Sequence, residues 1–272
     1  MSAVTLDTHV DFPAVTDNGL NVATRAWFVV TVIGQWLFFY YIVAFYGRST
    51  LQGNFELWNR NKFLFKGFVA GDRMGNLTFA AHVVLAAAMA FGGAMQLVPW
   101  IRTRAMAFHR WNGRVFLFTA LGISVSGLYM VLIRRSNPST LGSFATALDA
   151  FLILVFGVLA LRTAMTRNIT AHRRWALRTY IVANGQWFIR IGVMAWAVIT
   201  HGWRINTFFL IWNFGSYLVP LAILELYFLA RKNESIAGRR AMASVLVVVT
   251  LLSVVGTFGF GAFVITKILN RL

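Results

Sequence analysis

The sequence predicts an all-α integral membrane protein, a bundle of about seven transmembrane helices. Three observations predict it. Of the 272 residues, 58% are hydrophobic and only 12% charged, more apolar surface than one soluble core can hide. The apolar residues gather in runs of about 20, the length a helix needs to cross a hydrocarbon layer of about 30 Å. The charges lie mostly in the short connections between those runs. The basic excess, 25 Lys and Arg against 8 Asp and Glu, therefore reads as a positive-inside bias and argues against a nucleic-acid partner. There is no cysteine, which removes disulfides, thiolate metal sites, iron–sulfur clusters and covalent c-type haem.

Residues 1–24 carry Asp7, Asp11 and Asp17 and no basic residue, so they are expected to form a flexible tail and not a secretory signal. Residues 25–272 are expected to form one transmembrane domain. The first apolar run, 26–46, has Gln35 in its middle. The longest connection follows, and its core, 54–68, mixes Phe55, Trp58, Phe63, Phe65 and Phe68 with Arg60, Lys62 and Lys66. Aromatics beside cations predict an interfacial helix on the bilayer; the alternative is a lid over a site. The second run, 77–100, carries His82 among small residues such as Ala80, Ala81, Ala86 and Ala87. Small residues let a neighbouring helix or a flat cofactor approach the backbone. The third run is 115–133, and the fourth, 141–161, contains Asp149. The fifth, 175–200, contains Asn184, Gln186 and Arg190 and ends at His201. The sixth, 207–230, contains Asn213 and Glu225, and the seventh, 241–268, contains Gly256, Gly259 and Gly261.

Two basic segments carry most of the remaining chemistry. AMAFHRWNGR, residues 105–114, holds His109, Arg110 and Arg114. AHRRWALR, residues 171–178, holds His172, Arg173 and Arg178. Alternating helix directions place His82 with His201 at one membrane face and His109 with His172 at the other. Two histidine pairs at opposite faces are what two stacked bis-histidine b-type haems require. Arg110, Arg114, Arg173 and Arg178 could then bind haem propionates as charged forks. The alternative for each histidine is an interfacial or helix-terminal residue without a ligand.

The chain resembles the bacterial membrane family DUF2306. The resemblance rests on His82 in an alanine-rich helix, HRWNGR at 109–114, HRRWALRTY at 172–180 and the intramembrane Arg190, and it covers roughly residues 75–200. His201 lies outside that pattern. The layout also looks like the di-haem bundles of the cytochrome b561 type, an analogy of architecture alone.

No P-loop, GxGxxG, HExxH or GxSxG motif is present. Two functional readings follow. The first is a membrane-embedded b-type haem protein moving electrons, with His82, His109, His172 and His201 as iron ligands and a quinone or a redox protein as partner. The second is a non-haem small transporter, or an accessory subunit of a larger membrane complex, that binds an anionic solute or lipid through a buried Arg/His cluster. Arg190 is central to the second. It lies about 22 Å past Trp175 along a helix, inside the hydrocarbon layer. An arginine there must meet an anion or several acceptors. Asp149 is the expected protein partner, with Asn213 as a further acceptor; a bound carboxylate, such as a haem propionate or an acidic solute, is the alternative.

Counting basic residues by side gives 14 with the N-terminus and 10 on the other face, which predicts an inner-membrane protein with a cytoplasmic N-terminus. A single cysteine placed at Asn168 should then react with an impermeant maleimide only after the cells are opened. Labelling of intact cells would reverse the orientation.

Overall fold

The computed structural model describes residues 18–60, 66–137, 139–232 and 235–268. All regular structure within them is helical. Six helices are long and apolar enough to cross a bilayer: α1 (Asn18–Leu51), α2 (Arg73–Leu97), α4 (Met106–Ile133), α5 (Thr140–Met165), α8 (Ile205–Lys232) and α9 (Ile236–Thr266). A short helix, α3 (Pro99–Arg104), links α2 to α4. A seventh crossing is made of two pieces, α6 (Ile169–Ala183) and α7 (Gly185–Thr200), bent by 52° at Asn184. The expected bundle of about seven spans is present, with its fifth span broken.

Neighbours in sequence pack as neighbours in space, α1 on α2, α2 on α4, α4 on α5 and α5 on α6. The ring closes through α9, which lies against both α1 and α7. The outward faces stay apolar, with Ile33, Val84, Phe118, Phe151, Val247 and Leu251 all exposed. That is the surface lipid requires, since hydrocarbon solvates it and water does not. Inside, Phe38, Tyr41, Phe45, Tyr180, Trp187 and Phe260 form the aromatic centre of the largest core cluster.

Several boundaries differ from the sequence reading, each for a packing reason. α1 begins at Asn18, so residues 18–24 of the expected tail are helical; residues 1–17 lie outside the described residues. Leu20 and Ala23 are buried against Ala230, Met242 and Leu246, and Arg231 donates to the Asn21 side chain. α4 begins at Met106 and α6 at Ile169, several residues before the apolar runs start. His109 and His172 therefore sit in first helical turns and not in connections. Arginine is a good helix former, so these basic turns extend the spans into the headgroup layer.

The described part of the connection after α1 packs on the bundle. It forms a 3₁₀ helix, Phe55–Arg60, folded back against the bundle end. Trp58 is only 6% exposed and packs on Phe79 and Tyr46. Its indole Nε1 donates to Ser49 Oγ at 3.1 Å. Asn59 closes the loop, accepting from the Gly67 and Phe68 N–H groups and donating to the Phe68 carbonyl. Lys62, Phe63 and Phe65 lie outside the described residues. On the same face Arg134 donates to Asp72 Oδ2 at 2.7 Å, to the Lys66 and Gly67 carbonyls and to Asn76 Oδ1. Asp72 also caps α2 through the Gly75 N–H. That N–H, with Arg134 beside it, holds the Asp72 carboxyl below its usual range.

Small residues set the closest helix approaches. A Cβ on Gly256 of α9 would collide with the Ile191 backbone carbonyl of α7. Gly256→Ala should therefore destabilise the protein by about 1–3 kcal/mol, the usual cost of overpacking. Gly238→Ala, whose new methyl would have no neighbour nearer than 3.8 Å, should be nearly neutral. Unfolding the two variants in detergent by sodium dodecyl sulfate titration separates these outcomes.

Candidate functional site

The break between α6 and α7 positions the site. Asn184 ends α6, and its Oδ1 accepts from Gln35 Nε2 of α1 at 2.7 Å while its Nδ2 donates to the Tyr180 carbonyl at 2.7 Å. The Tyr180 hydroxyl donates back to Gln35 Oε1 at 3.1 Å. This circuit pairs the buried polar side chains at the break, which would otherwise lie bare in hydrocarbon. It also sets the direction of α7 and so of Arg190.

Beside the break lies a cavity of about 110 Å³ between α1, α2, α4, α5 and α7. Its walls are mostly apolar, with Phe38, Tyr41, Tyr46, Phe79 and Trp187 prominent. A few polar groups converge on it: His82 from α2, Asp149 from α5, and Asn184, Gln186 and Arg190 around the break. A concave apolar site with few polar groups is the usual form of a small-molecule site.

Arg190 does not pair with Asp149. Its Nη1 donates to the Gln186 carbonyl one turn back, and its guanidinium lies 4.4 Å from the centre of the Phe38 ring. Tyr41 and Tyr46 lie within electrostatic reach. Asn213 donates to the Phe209 carbonyl and makes no bond to Arg190 among the described residues. The expected ion pair is not formed; Asp149 lies beside the break, with Oδ2 3.1 Å from the position of a Cβ on Gly185. Asp149 is 7% exposed, and its Oδ1 has no hydrogen-bond partner among the described residues. Cation and carboxylate thus line one cavity, each lacking an ionic partner among the described residues.

His82 is held from behind. Its Nδ1 lies 2.9 Å from Ser126 Oγ, and that hydroxyl directs its single hydrogen at the Gly122 and Ile123 carbonyls. The pattern assigns the proton to His82 Nδ1 and leaves the Nε2 lone pair free. His172 is arranged alike, with Nδ1 2.9 Å from the Ala160 carbonyl, which can only accept. His109 is the reverse. With the Gln96 amide oriented to satisfy both its ends, its nitrogen donates to His109 Nδ1 at 2.8 Å and its oxygen accepts from Asn112 and the Gly113 N–H. The neutral His109 ring therefore carries its proton on Nε2. His201 is exposed and caps α7 in the left-handed conformation, with φ 53°. Trp196 holds that turn by donating to the Trp203 carbonyl at 2.7 Å.

The nine sequence-predicted residues thus divide between two membrane faces and one interior. His82 and Arg190 come together at the cavity; His201 shares the face of His82 but does not line the cavity. His109, His172 and Arg173 gather at the other face, where Arg110 and Arg114 are exposed. Arg178 makes a bidentate pair with Glu225, at 2.7 and 2.8 Å, and stacks over Trp175. For haem, the residues supply one imidazole Nε2 lone pair at the cavity and one at the far face; among the described residues no second imidazole lines the cavity.

The sequence reading missed the roles of Ser126, Gln96, Tyr41 and Tyr46. Ser126 sits at no charged or aromatic signal, and Tyr41 and Tyr46 read as ordinary aromatics of an apolar run. A clue existed for the tyrosines, since both lie on the turns of α1 that follow Gln35. The stretch Val43–Gly47 there is a π-helix, a distortion often found at functional sites.

A family model described as a predicted membrane protein, DUF2306, matches residues 79–228, more than half of the chain. No curated protein and no solved structure matches. The matched segment holds His82, Asp149, Asn184 and Arg190, whereas Gln35, Phe38 and Tyr41 precede it.

Replacing Gln35 by leucine leaves Asn184 Oδ1 and the Tyr180 hydroxyl buried without their partner. The variant should lose about 1–3 kcal/mol of stability, the cost of buried unsatisfied groups. Thermal unfolding in detergent measures it, and an unchanged midpoint would show that the break holds itself.

Proposed function

The chain belongs to the DUF2306 family of membrane proteins, and we propose that it binds a small anionic solute inside the bilayer, at the cavity beside the break. The observation that carries this reading is Arg190. A guanidinium inside the hydrocarbon layer costs at least about 2.5–3.5 kcal/mol unless it finds an anion or several acceptors. Arg190 has one backbone carbonyl and one aromatic face. A ligand carboxylate or similar group would supply the charge it lacks, and a hydroxyl or amine on the same ligand would meet Asp149 Oδ1. The aromatic walls suit an apolar body between those ends. Such a site serves a small transporter or a binding subunit of a larger membrane complex.

Arg190→Gln should abolish the ligand that copurifies with the wild type, detected by mass spectrometry of the denatured nanodisc complex. The fold should remain, because glutamine can keep a polar end in the cavity. Equal ligand content in both proteins would defeat the reading.

The free Nε2 atoms of His82 and His172 favour a second reading, a b-type haem protein exchanging electrons with a quinone or a redox protein. Haem b would supply the one-electron chemistry; His82 would hold its iron from the side opposite Ser126. Arg190, which lines the same cavity, would meet a propionate. The visible spectrum separates the two readings. A Soret band that weakens in His82→Ala supports haem, and a colourless protein from haem-replete cells excludes it.

A further inference from the structure

At the face away from His82, four side chains from three helices crowd together. Arg102 comes from α3, His109 from the first turn of α4, and His172 and Arg173 from the first turn of α6. Arg102 lies in electrostatic range of both Arg173 and His109, and His109 in range of His172. Neither ion pair among the described residues serves this cluster: Asp72 is held by Arg134 at the opposite face, and Glu225 by Arg178. Arg102 Nε is fully buried and donates to nothing among the described residues. Burial, and then the Arg173 charge, lower the pKa of Arg102 from its ordinary value. Folding thus brings like charges together and leaves a guanidinium N–H without an acceptor. Both costs vanish if an anion lies among these groups.

The donors define the anion. Arg102 offers Nε–H, Arg173 an exposed fork, and His109 its Nε2–H because Gln96 occupies Nδ1. Three donors of this kind within electrostatic range of one another match the several acceptor oxygens of a phosphate better than the two of a carboxylate. Depth defines the source. Trp100 and Trp111, on α3 and α4 beside the cluster, are both more than half exposed, and tryptophan marks the headgroup layer. We propose that Arg102, His109 and Arg173, beside His172, form a binding site for the phosphate of an anionic lipid headgroup. This site is separate from the cavity at Arg190, and neither reading depends on the other.

Native mass spectrometry of the delipidated full chain, titrated with phosphatidylglycerol, tests it. Arg102→Gln and Arg173→Gln should each weaken binding by about tenfold or more, the loss of one charge-assisted contact. Arg240→Gln, at an exposed arginine of the same face outside the cluster, should leave affinity unchanged. Arg173 is exposed, so its variant reports on binding even if Arg102→Gln misfolds. Equal weakening in all three variants would reduce the site to diffuse surface charge, and no weakening in Arg102→Gln and Arg173→Gln would overturn it. Inorganic phosphate, titrated into the protein in phosphatidylcholine-only nanodiscs, separates the two sources. Saturable binding that Arg102→Gln abolishes would assign the site to free phosphate and overturn the lipid; no such binding supports the lipid.

Discussion

At Asn184 a membrane span turns by 52°, and there the side chains of Gln35, Tyr180 and Asn184 close a buried hydrogen-bonded circuit. Much of the interior follows from this circuit. Hydrocarbon offers no hydrogen bonds, so a broken helix persists only where side chains replace the missing partners. Gln35 joins the Asn184 side chain to the Tyr180 hydroxyl from α1, which ties the first span to the fifth. The preceding residue, Gly34, leaves room for the Trp187 ring that follows the break. The bend opens the space that becomes the cavity, and it aims Arg190 along one wall and the Gly185 backbone toward Asp149.

The arginines show how one side chain is handled in four environments. Arg134 is saturated, its guanidinium meeting one carboxylate, two carbonyls and an amide, and it ties the cap over α2 to the end of α4. Arg178 is paired with Glu225 and shielded by aromatic rings, fastening α6 to α8. Arg190 keeps one backbone acceptor and a ring face, and Arg102 keeps a buried N–H with no acceptor. The first two are explained by the fold alone. The last two are not, and each lies where a ligand could reach it.

The three histidines of the family motifs show why a residue type does not fix its chemistry. His82 and His172 have their Nδ1 protons fixed by oxygen atoms behind them, the arrangement that presents Nε2 to a ligand. His109 has its Nδ1 lone pair filled by Gln96 and presents a donor. The difference comes from Ser126, Ala160 and Gln96, none of which marks itself in the sequence. The cap over the cavity is likewise made by an unmarked partner: Ser49 draws the Trp58 indole inward against Tyr46 and Phe79, both of which line the cavity.

Apolar run length and the placement of charge determined the membrane class, the number of spans and the sorting of His82 and His201 to one face and His109 and His172 to the other. These follow from local hydrophobicity and from helix direction, which a chain fixes residue by residue. Arg190 was also legible as exceptional, because a charge within an apolar run is costly wherever its helix points. Its partner was not legible. Asp149 and Arg190 sit at matching depths on the linear plot and line one cavity, yet Arg190 bonds the Gln186 carbonyl beyond the bend at Asn184, and a bend needs a partner helix to hold it. The 3₁₀ turn that buries Trp58, the burial of Leu20 and Ala23 against α8 and α9 and the proton positions on the histidines were decided in the same way. Each depends on a contact between residues far apart in the chain, and only the tertiary structure brings such residues together.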